Sequence, residues 1–444
     1  MFPRFVSECA ETCHKPRKRG TNALESPPPP VCQRPPQHVT ALTPPDFRKS
    51  PTRSIILLAA AGFASQAQVR VTDSLLPQIA ADFGTTVGAA AMVVTTYVIA
   101  HGSIQLLIGP VGDRFGKYLT ITVMSLASAI LVMLCGYANS LPELAVARLL
   151  AGATAGWIIP LSMAYVGDVT PYERRQTVLG RYISGYILGQ LFGQAAGGVL
   201  GDWFGWRNVF VVLGALFALA TVGLIVELLT NPGTRTATRP EETSRGFVAD
   251  YVAVLSNRFA RIVIIAVLIE AATGWGAFAY VGADLNQRFG LGFAAVGLIV
   301  GTFAIGGLIY TASVQQLVNR LGQRGLAIGG GLLCGISFLT LAIGAAWWLA
   351  PIAVTTFGLG FYALHNTLQT NATQMTPEAR GTAVAIFSSA IYLGQTGGVA
   401  GGAFIFDRFG GAPLFAVTAI ALPVLAFWLA CELKHAESAA AHSS

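Results

Sequence analysis

GYILGQLFGQAAGGVLGDWFG, residues 185–205, decides how the whole chain is read. Glycine stands at 185, 189, 193, 197, 201 and 205, every fourth residue of a stretch that is otherwise largely apolar. In water, a glycine inside a helix costs about 1 kcal/mol relative to alanine. In lipid, helices associate by close packing, and small residues at every fourth position let two backbones approach. The stripe therefore reads as a packing seam of a membrane helix.

Composition points the same way. Of 444 residues, 53% are hydrophobic and 11% charged, whereas a soluble domain carries roughly 25% charged residues. The 50 glycines also suit membrane helices, which use glycine more than soluble ones do. Of the six cysteines, Cys9, Cys13 and Cys32 sit in the polar N-terminal region, and Cys135, Cys334 and Cys431 are scattered in or near apolar runs. They form no disulfide framework, and Cys9 with Cys13 is too few for a four-ligand metal site. No Gly-Lys-Ser/Thr nucleotide loop and no Ser-His-Asp spacing is present, so an enzyme and direct ATP drive are both disfavoured. No cofactor, metal or nucleic-acid partner is expected.

Residues 1–52 form a proline-rich tail with the basic cluster HKPRKRG and no apolar signal region, which predicts a disordered cytoplasmic segment. A start codon assigned too early would leave the same kind of tail. Twelve apolar runs of spanning length follow, near 54–80, 87–109, 118–138, 141–166, 178–200, 208–229, 259–282, 293–316, 325–345, 348–371, 380–403 and 413–432. These are spans 1 to 12. A polar stretch over 231–258 divides them into bundles at 53–230 and 259–432, and 433–444 forms a second short tail. With the N-terminus placed inside, 23 of the 28 Lys and Arg residues fall on the inner side. Both termini are therefore expected in the cytoplasm, with the protein multi-pass in the plasma (inner) membrane.

The two bundles repeat one another. Sliding the chain by 205 residues lays Gly189, Gln190, Gly193, Gly197, Asp202, Phe204, Gly205 and Phe210 on Gly394, Gln395, Gly398, Gly402, Asp407, Phe409, Gly410 and Phe415. A slide of 206 lays DRFGK (113–117) on NRLGQ (319–323). Spans 5 and 11 thus hold equivalent places, and Gly185, Gly189, Gly193 and Gly197 in one, with Gly394, Gly398 and Gly402 in the other, are expected to be seams near the interface between the halves.

The loop after span 2 reads GPVGDRFGKY (109–118), a tight turn in which Gly112 and Gly116 relax the backbone and Asp113 can accept N–H groups at a helix start. With twelve spans, a six-plus-six repeat and a degenerate copy after span 8, the chain resembles the major facilitator superfamily of secondary transporters over about 54–432, and within it the twelve-helix drug and sugar efflux branch. The resemblance implies an all-α membrane fold of two pseudo-symmetric six-helix halves. It implies a conformational latch around Gly112, Asp113, Arg114 and Gly116, facing the start of span 11 at Arg380, with Asp168 grouped beside it. ARLLAGATAG (147–156), with Arg148, is similar to the span 4 signature of proton-coupled members. TDSLLPQIAADF (72–83) is similar to the end of span 1 in drug exporters, and GWRNVF (205–210) to the usual lead into span 6. One departure stands out: GQAAGG (193–198) has Gln194 where antiporters of the family carry proline, which weakens the antiport reading.

Ionisable groups in mid-membrane are costly, roughly 2.5–3.5 kcal/mol on insertion scales, and so invite functional readings. Arg70 and Asp73 share one face of span 1, either as a local pair or as a proton and substrate relay. Arg148 either couples protons or clamps carbonyls of span 1. Glu270, near the middle of span 7 with no basic residue within a turn, is the leading proton carrier, or else a protonated acid bonding across a helix interface. His101 and His365 are relay candidates or neutral bonding groups. Gln105, Gln190, Gln194, Asn366 and Gln395 either line a polar cavity or join helices. Trp275, Tyr280 and Tyr392, with Trp157, Tyr186, Phe361 and Tyr362, either wall a substrate pocket or pack. The reading is a monomeric proton-coupled exporter of a small lipophilic or sugar-like compound, working by alternating access. An importing symporter is the first rival and a non-transporting membrane sensor the second.

Overall fold

The computed structural model describes residues 52–108, 115–235, 247–376 and 379–443. The proline-rich tail, the latch residues Gly112, Asp113 and Arg114, and the middle of the inter-bundle stretch lie outside the described residues. No strand occurs among the described residues. Nine helical stretches there are long and apolar enough to cross a membrane. Five belong to the first bundle: α1 Thr52–Asp82, α2 Val87–Gln105, α3 Lys117–Cys135, α4 Leu141–Val169, and the double stretch Val178–Thr230. The double stretch is split by Gly205, whose φ of 77° is left-handed, into α5 (172–204) and α6 (206–230). The second bundle begins with α7, Arg258–Phe289. In Phe293–Ile343, Gly322 (φ 64°) separates α8 (293–321) from α9 (323–343). Helix α10 is Leu349–Ala372, whose His365, Asn366, Gln369 and Asn371 dilute its apolar character. Helices α11, Arg380–Phe409, and α12, Gly411–Ser443, complete twelve. Left-handed φ is open to glycine without the Cβ clash other residues meet, so Gly205 and Gly322 turn the chain back with almost no loop.

Two features lie beyond the sequence expectation. A linker helix, Phe247–Ser256, occupies part of the polar stretch between bundles, and Tyr251 on it donates its hydroxyl to the Leu106 carbonyl (2.7 Å). Helix α12 also continues well past its apolar run.

The outer surface is apolar, with Leu219 72% and Ile420 68% exposed. Such a surface suits lipid rather than water. Inside, large side chains and polar groups are buried together, and Arg148 is the largest of the fully buried side chains.

The glycine seams correct one expectation. They lie within each half rather than between halves. A Cβ on Gly189 would stand 2.2 Å from the Phe63 carbonyl, and one on Gly193 2.2 Å from the Ala67 carbonyl, so the stripe presses α5 onto α1. Gly185 faces Ala59 and Gly197 faces Val71 and Ser74 on the same helix. In the second half, Gly394 faces the Leu268 carbonyl, Gly398 the Ala272 carbonyl and Gly402 Tyr280, all on α7. The contact pairs themselves repeat at 205 residues: Gly189 with Phe63 becomes Gly394 with Leu268, and Gly193 with Ala67 becomes Gly398 with Ala272. The stripe faces inward to its own bundle because that is where backbone contact is continuous.

The halves meet through other residues. A Cβ on Gly198 would lie 2.5 Å from the Cα of Gly297, a backbone-to-backbone contact of α5 with α8 beside which Ala195 packs on Gly301. Near the end of the bundle away from the described chain termini, Asp407 of α11 accepts from the Thr86 hydroxyl (2.7 Å) and the Gly88 N–H (2.8 Å) at the start of α2. This clasp has no counterpart among the described residues at Asp202, the repeat equivalent of Asp407. A cavity of about 360 Å³, lined by Pro77, Thr86, Asn286, Gln287 and Asp407 among others, borders the clasp on the same side. Toward the opposite end, most residues over 311–323, from the last turns of α8 to the start of α9, are exposed.

Candidate functional site

The site is built where the repeat axis brings the two halves together. Arg70 on α1 and Trp275 on α7 are 205 residues apart, so they hold equivalent positions of the two repeats. They touch: the guanidinium carbon lies 3.5 Å from the Trp275 ring centroid. A guanidinium over an indole face is attracted by the ring quadrupole, most strongly when water is excluded, and Arg70 is 5% exposed. Asp73, one turn along α1, stands 3.6 Å from Arg70, an ion pair longer than a hydrogen bond. Neither carboxylate oxygen of Asp73 has a hydrogen-bond partner, nor does the Arg70 Nε. Phe278 occupies the repeat position of Asp73 and packs on Trp275 with ring centroids 5.5 Å apart. The first half is thus ionic where the second is aromatic.

From Trp275 an aromatic path leads to the second ionisable pair. Phe361 on α10 meets Trp275 edge-on at 4.8 Å and stacks on His365 at 5.1 Å. The His365 Nδ1 lies 2.8 Å from the Glu270 Oε2. Sequence offered each as a separate candidate; the fold joins them, because α7 and α10 pack with these two residues at one depth. Glu270 is 1% exposed and His365 16%, so the imidazole stands between the acid and the accessible side. With one proton between them the pair is neutral whichever partner holds it. A second proton, or none, leaves a charge in the interior, which is costly at membrane depth. The other Glu270 oxygen has no partner.

Arg148 sits in a different setting. Its Nε donates to the Val93 carbonyl (3.3 Å), its Nη1 to the Gln68 carbonyl (3.2 Å) and its Nη2 to the Thr72 hydroxyl (3.3 Å), while its plane lies 4.0 Å from the Tyr97 ring centroid. These bonds tie α4 to α1 and α2, the clamp that the sequence left as one of two readings. No carboxylate pairs with it among the described residues.

The remaining candidates divide. His101 is buried between Tyr97 and Tyr392, whose ring centroids are 5.6 and 4.5 Å from its own, and its Nδ1 lacks a partner. Tyr392 packs against Gly102, and Ser389 donates to the Gly102 carbonyl (2.9 Å), so this part of α11 is an interface between halves. Gln105 is buried at the same interface with its carbonyl oxygen unpaired. Gln194 and Gln395 are fully buried with both amide atoms unpaired, and Gln190 is half-buried. Asn366 donates to the Tyr310 hydroxyl (2.7 Å). Tyr310 escaped the sequence reading, since nothing in its own surroundings on α8 marks it; the signal is a partner 56 residues away. Tyr280 is corrected: it is fully buried, donates to the Val399 carbonyl (2.7 Å) and stacks on Phe406, so it packs α7 against α11 instead of lining a pocket. Of the latch group, Gly116 has a left-handed φ of 88° at the start of α3, and Asp168 pairs with Lys117 (2.5 Å) inside the first half.

Known proteins bear on this arrangement. The chain is 23% identical over 339 residues to an uncharacterized MFS-type transporter, YceJ, of Bacillus subtilis (strain 168), covering 75% of this chain and 84% of that one. It is 22% identical to a probable sugar efflux transporter of Pasteurella multocida (strain Pm70), covering 84% and 92%. The fold matches the crystal structure of the nucleoside transporter NupG with a TM-score of 0.70 at 13% identity, over 86% of this chain and 99% of that one. Residues 58–396 and 271–442 of this multi-pass bundle match the family described as Major Facilitator Superfamily, so the chain belongs to the major facilitator superfamily and is a membrane transporter of that family.

Proposed function

We propose that the protein is a proton-coupled exporter of a small molecule, working as a monomer by alternating access in the plasma (inner) membrane. The observation that carries this reading is the buried Glu270–His365 pair, reached from the Arg70–Asp73 pair through Trp275 and Phe361. Glu270 holds the transported proton, and His365, the more exposed partner, passes it in and out. Arg70 and Trp275 face the cargo from opposite halves, so a change at either alters how the halves meet. The Lys and Arg bias supports cytoplasmic termini. With that orientation, the Asp407 clasp closes the outer side and the site opens inward. The latch residues Gly112, Asp113 and Arg114 act on the inner side in the other state. The likeness to a probable sugar efflux transporter, over 84% of this chain and 92% of that one, supports export.

One observation favours a second reading, import by symport: Gln194 replaces the proline expected of antiporters. Proteoliposomes with an imposed pH gradient test both. Small sugars, aromatic acids and lipophilic cations serve as probes, and a pH-sensitive dye reports cargo-dependent proton flux. Glu270→Gln is expected to abolish that flux while leaving cargo exchange at equal pH. Retained proton flux in the variant sinks the assignment of Glu270, and cargo moving with rather than against the proton replaces export by import.

A further inference from the structure

We infer that the Arg70 site takes an organic anion: a planar or aromatic molecule carrying a carboxylate that the guanidinium grips while its ring lies against Trp275 and Phe361. The inference rests on the reading of this cluster as the cargo site and is independent of the direction of transport.

The argument begins with a charge balance. The buried ionisable groups among the described residues are Arg70, Arg148, Asp73, Glu227, Glu270 and Asp284, with His101 and the partly buried His365. Glu227 and Asp284 hold Arg53 (3.2 Å) and Arg288 (2.8 Å) near helix ends. Glu270 is matched by His365. His101, with its Nδ1 unpartnered and set between two tyrosine rings, has no carboxylate beside it to hold it charged. At the centre there remain two guanidiniums and one carboxylate. The one carboxylate, Asp73, stands 3.6 Å from Arg70, and Arg148 has no carboxylate partner among the described residues, so one carboxylate faces two guanidiniums. When Glu270 and His365 share one proton, the interior therefore carries one uncompensated positive charge. Such a charge is expensive in a low-dielectric interior unless a counter-ion visits it.

The second observation is stereochemical. Arg148 spends its donors on carbonyls and a hydroxyl. Arg70 does not: one face lies on Trp275, its Nε has no partner, and the Asp73 contact is longer than a hydrogen bond. A planar fork of N–H donors, held flat by an indole and left unsatisfied, matches a carboxylate edge-on in two parallel hydrogen bonds. The same indole, with Phe361 at 4.8 Å, offers an apolar wall beside it. A sugar or a lipophilic amine would leave the positive charge unmet, and an amine would add to it.

Purified full-length protein in detergent, titrated with size-matched triples, tests this. The probes are benzoate, benzamide and benzylamine, and 3-phenylpropionate with its amide and amine; the readout is the ligand-induced rise in unfolding temperature. In at least one triple the acid is expected to bind about tenfold or more tighter than its amide, with the amine not binding. Arg70→Gln is expected to remove that preference. Arg70→Lys, which keeps the charge but loses the fork, should retain only part of it. If Arg70→Gln does not fold, the parent's preference and the partial loss in Arg70→Lys carry the test. Equal binding of acid and amide, no binding by either acid, or a full acid preference in the Arg70 variants overturns the inference. The proton flux of Glu270→Gln is a separate readout, so failure of the proton reading and failure of the anion reading are told apart.

Discussion

Removing the Asp407 carboxylate tests what holds the far ends of the two halves together. Asp407 accepts two hydrogen bonds from the other half, from the Thr86 hydroxyl at 2.7 Å and the Gly88 N–H at 2.8 Å. The second comes from the first turn of α2, where a negative charge is also favoured by the helix dipole. A hydrogen bond to a charged group contributes about 1.5–3 kcal/mol when protected from water. Asp407 is exposed, and exposed charge contacts are worth much less, typically about 0–1 kcal/mol. We therefore assign the clasp about 1–2 kcal/mol in all. At about 1.4 kcal/mol per factor of ten, Asp407→Asn should raise the ratio of far-end-open to far-end-closed molecules about five- to thirtyfold. Gly88→Ala reaches the same end sterically, because its Cβ would lie 2.3 Å from the Asp407 Oδ2 and 2.8 Å from the Ala403 carbonyl. The assay is pulsed electron–electron distance measurement between spin labels at residues 85 and 413, in a background without other reactive cysteines. Both variants should enlarge the long-distance population, and the double variant should add little to either, since the sites share one contact. An unchanged distribution in Asp407→Asn beside a shifted one in Gly88→Ala would show that packing, not the carboxylate, closes this end.

Two further perturbations follow from the geometry. Gly189→Ala and Gly398→Ala place a Cβ 2.2 and 1.9 Å from backbone carbonyls of the neighbouring helix, whereas Gly180→Ala and Gly401→Ala meet nothing within 4 Å. Overpacking against rigid backbone costs about 1–3 kcal/mol, so the first pair should lower the unfolding temperature in detergent and the second pair should not; equal behaviour would remove the seam. Arg148→Lys keeps the charge but cannot serve the Val93 and Gln68 carbonyls and the Thr72 hydroxyl together. Losing two such bonds at about 1.5–3 kcal/mol each should cost stability clearly, and a variant as stable as the parent would refute the clamp.

The fold was largely legible in the sequence. Spanning length and the glycine period are properties of local stretches, and α5 and α11 kept their glycines because each presses its backbone onto its neighbour. The equivalence of α1 and α7 shows in the sequence only at their ends, where DFG (82–84) falls on RFG (288–290) at a slide of 206. Arg70 and Trp275, or Asp73 and Phe278, share a repeat position but no chemistry, so sliding the chain reveals nothing there. The halves have diverged at their meeting point and stayed alike where they pack internally. For the same reason the site was legible only as loose parts. Glu270, His365, Arg70 and Trp275 each stood out as polar or bulky in an apolar run. That Glu270 bonds a histidine 95 residues away, and that Trp275 carries Arg70, depends on how bundles dock, which no local spacing encodes. The glycine stripe shows the same limit: periodicity identifies a face and cannot name its partner.

The backbone contact of Gly198 with Gly297 has a mechanical consequence. Where side chains interlock, one body can tilt over another only by re-posing them, and each step meets a barrier. Two bare main chains in contact present a smooth bearing, over which a rigid bundle can roll by small angles as on a fulcrum. Distance from that bearing then sets leverage: groups near it travel little, and a clasp at the rim, such as Asp407, swings through the widest arc and breaks first.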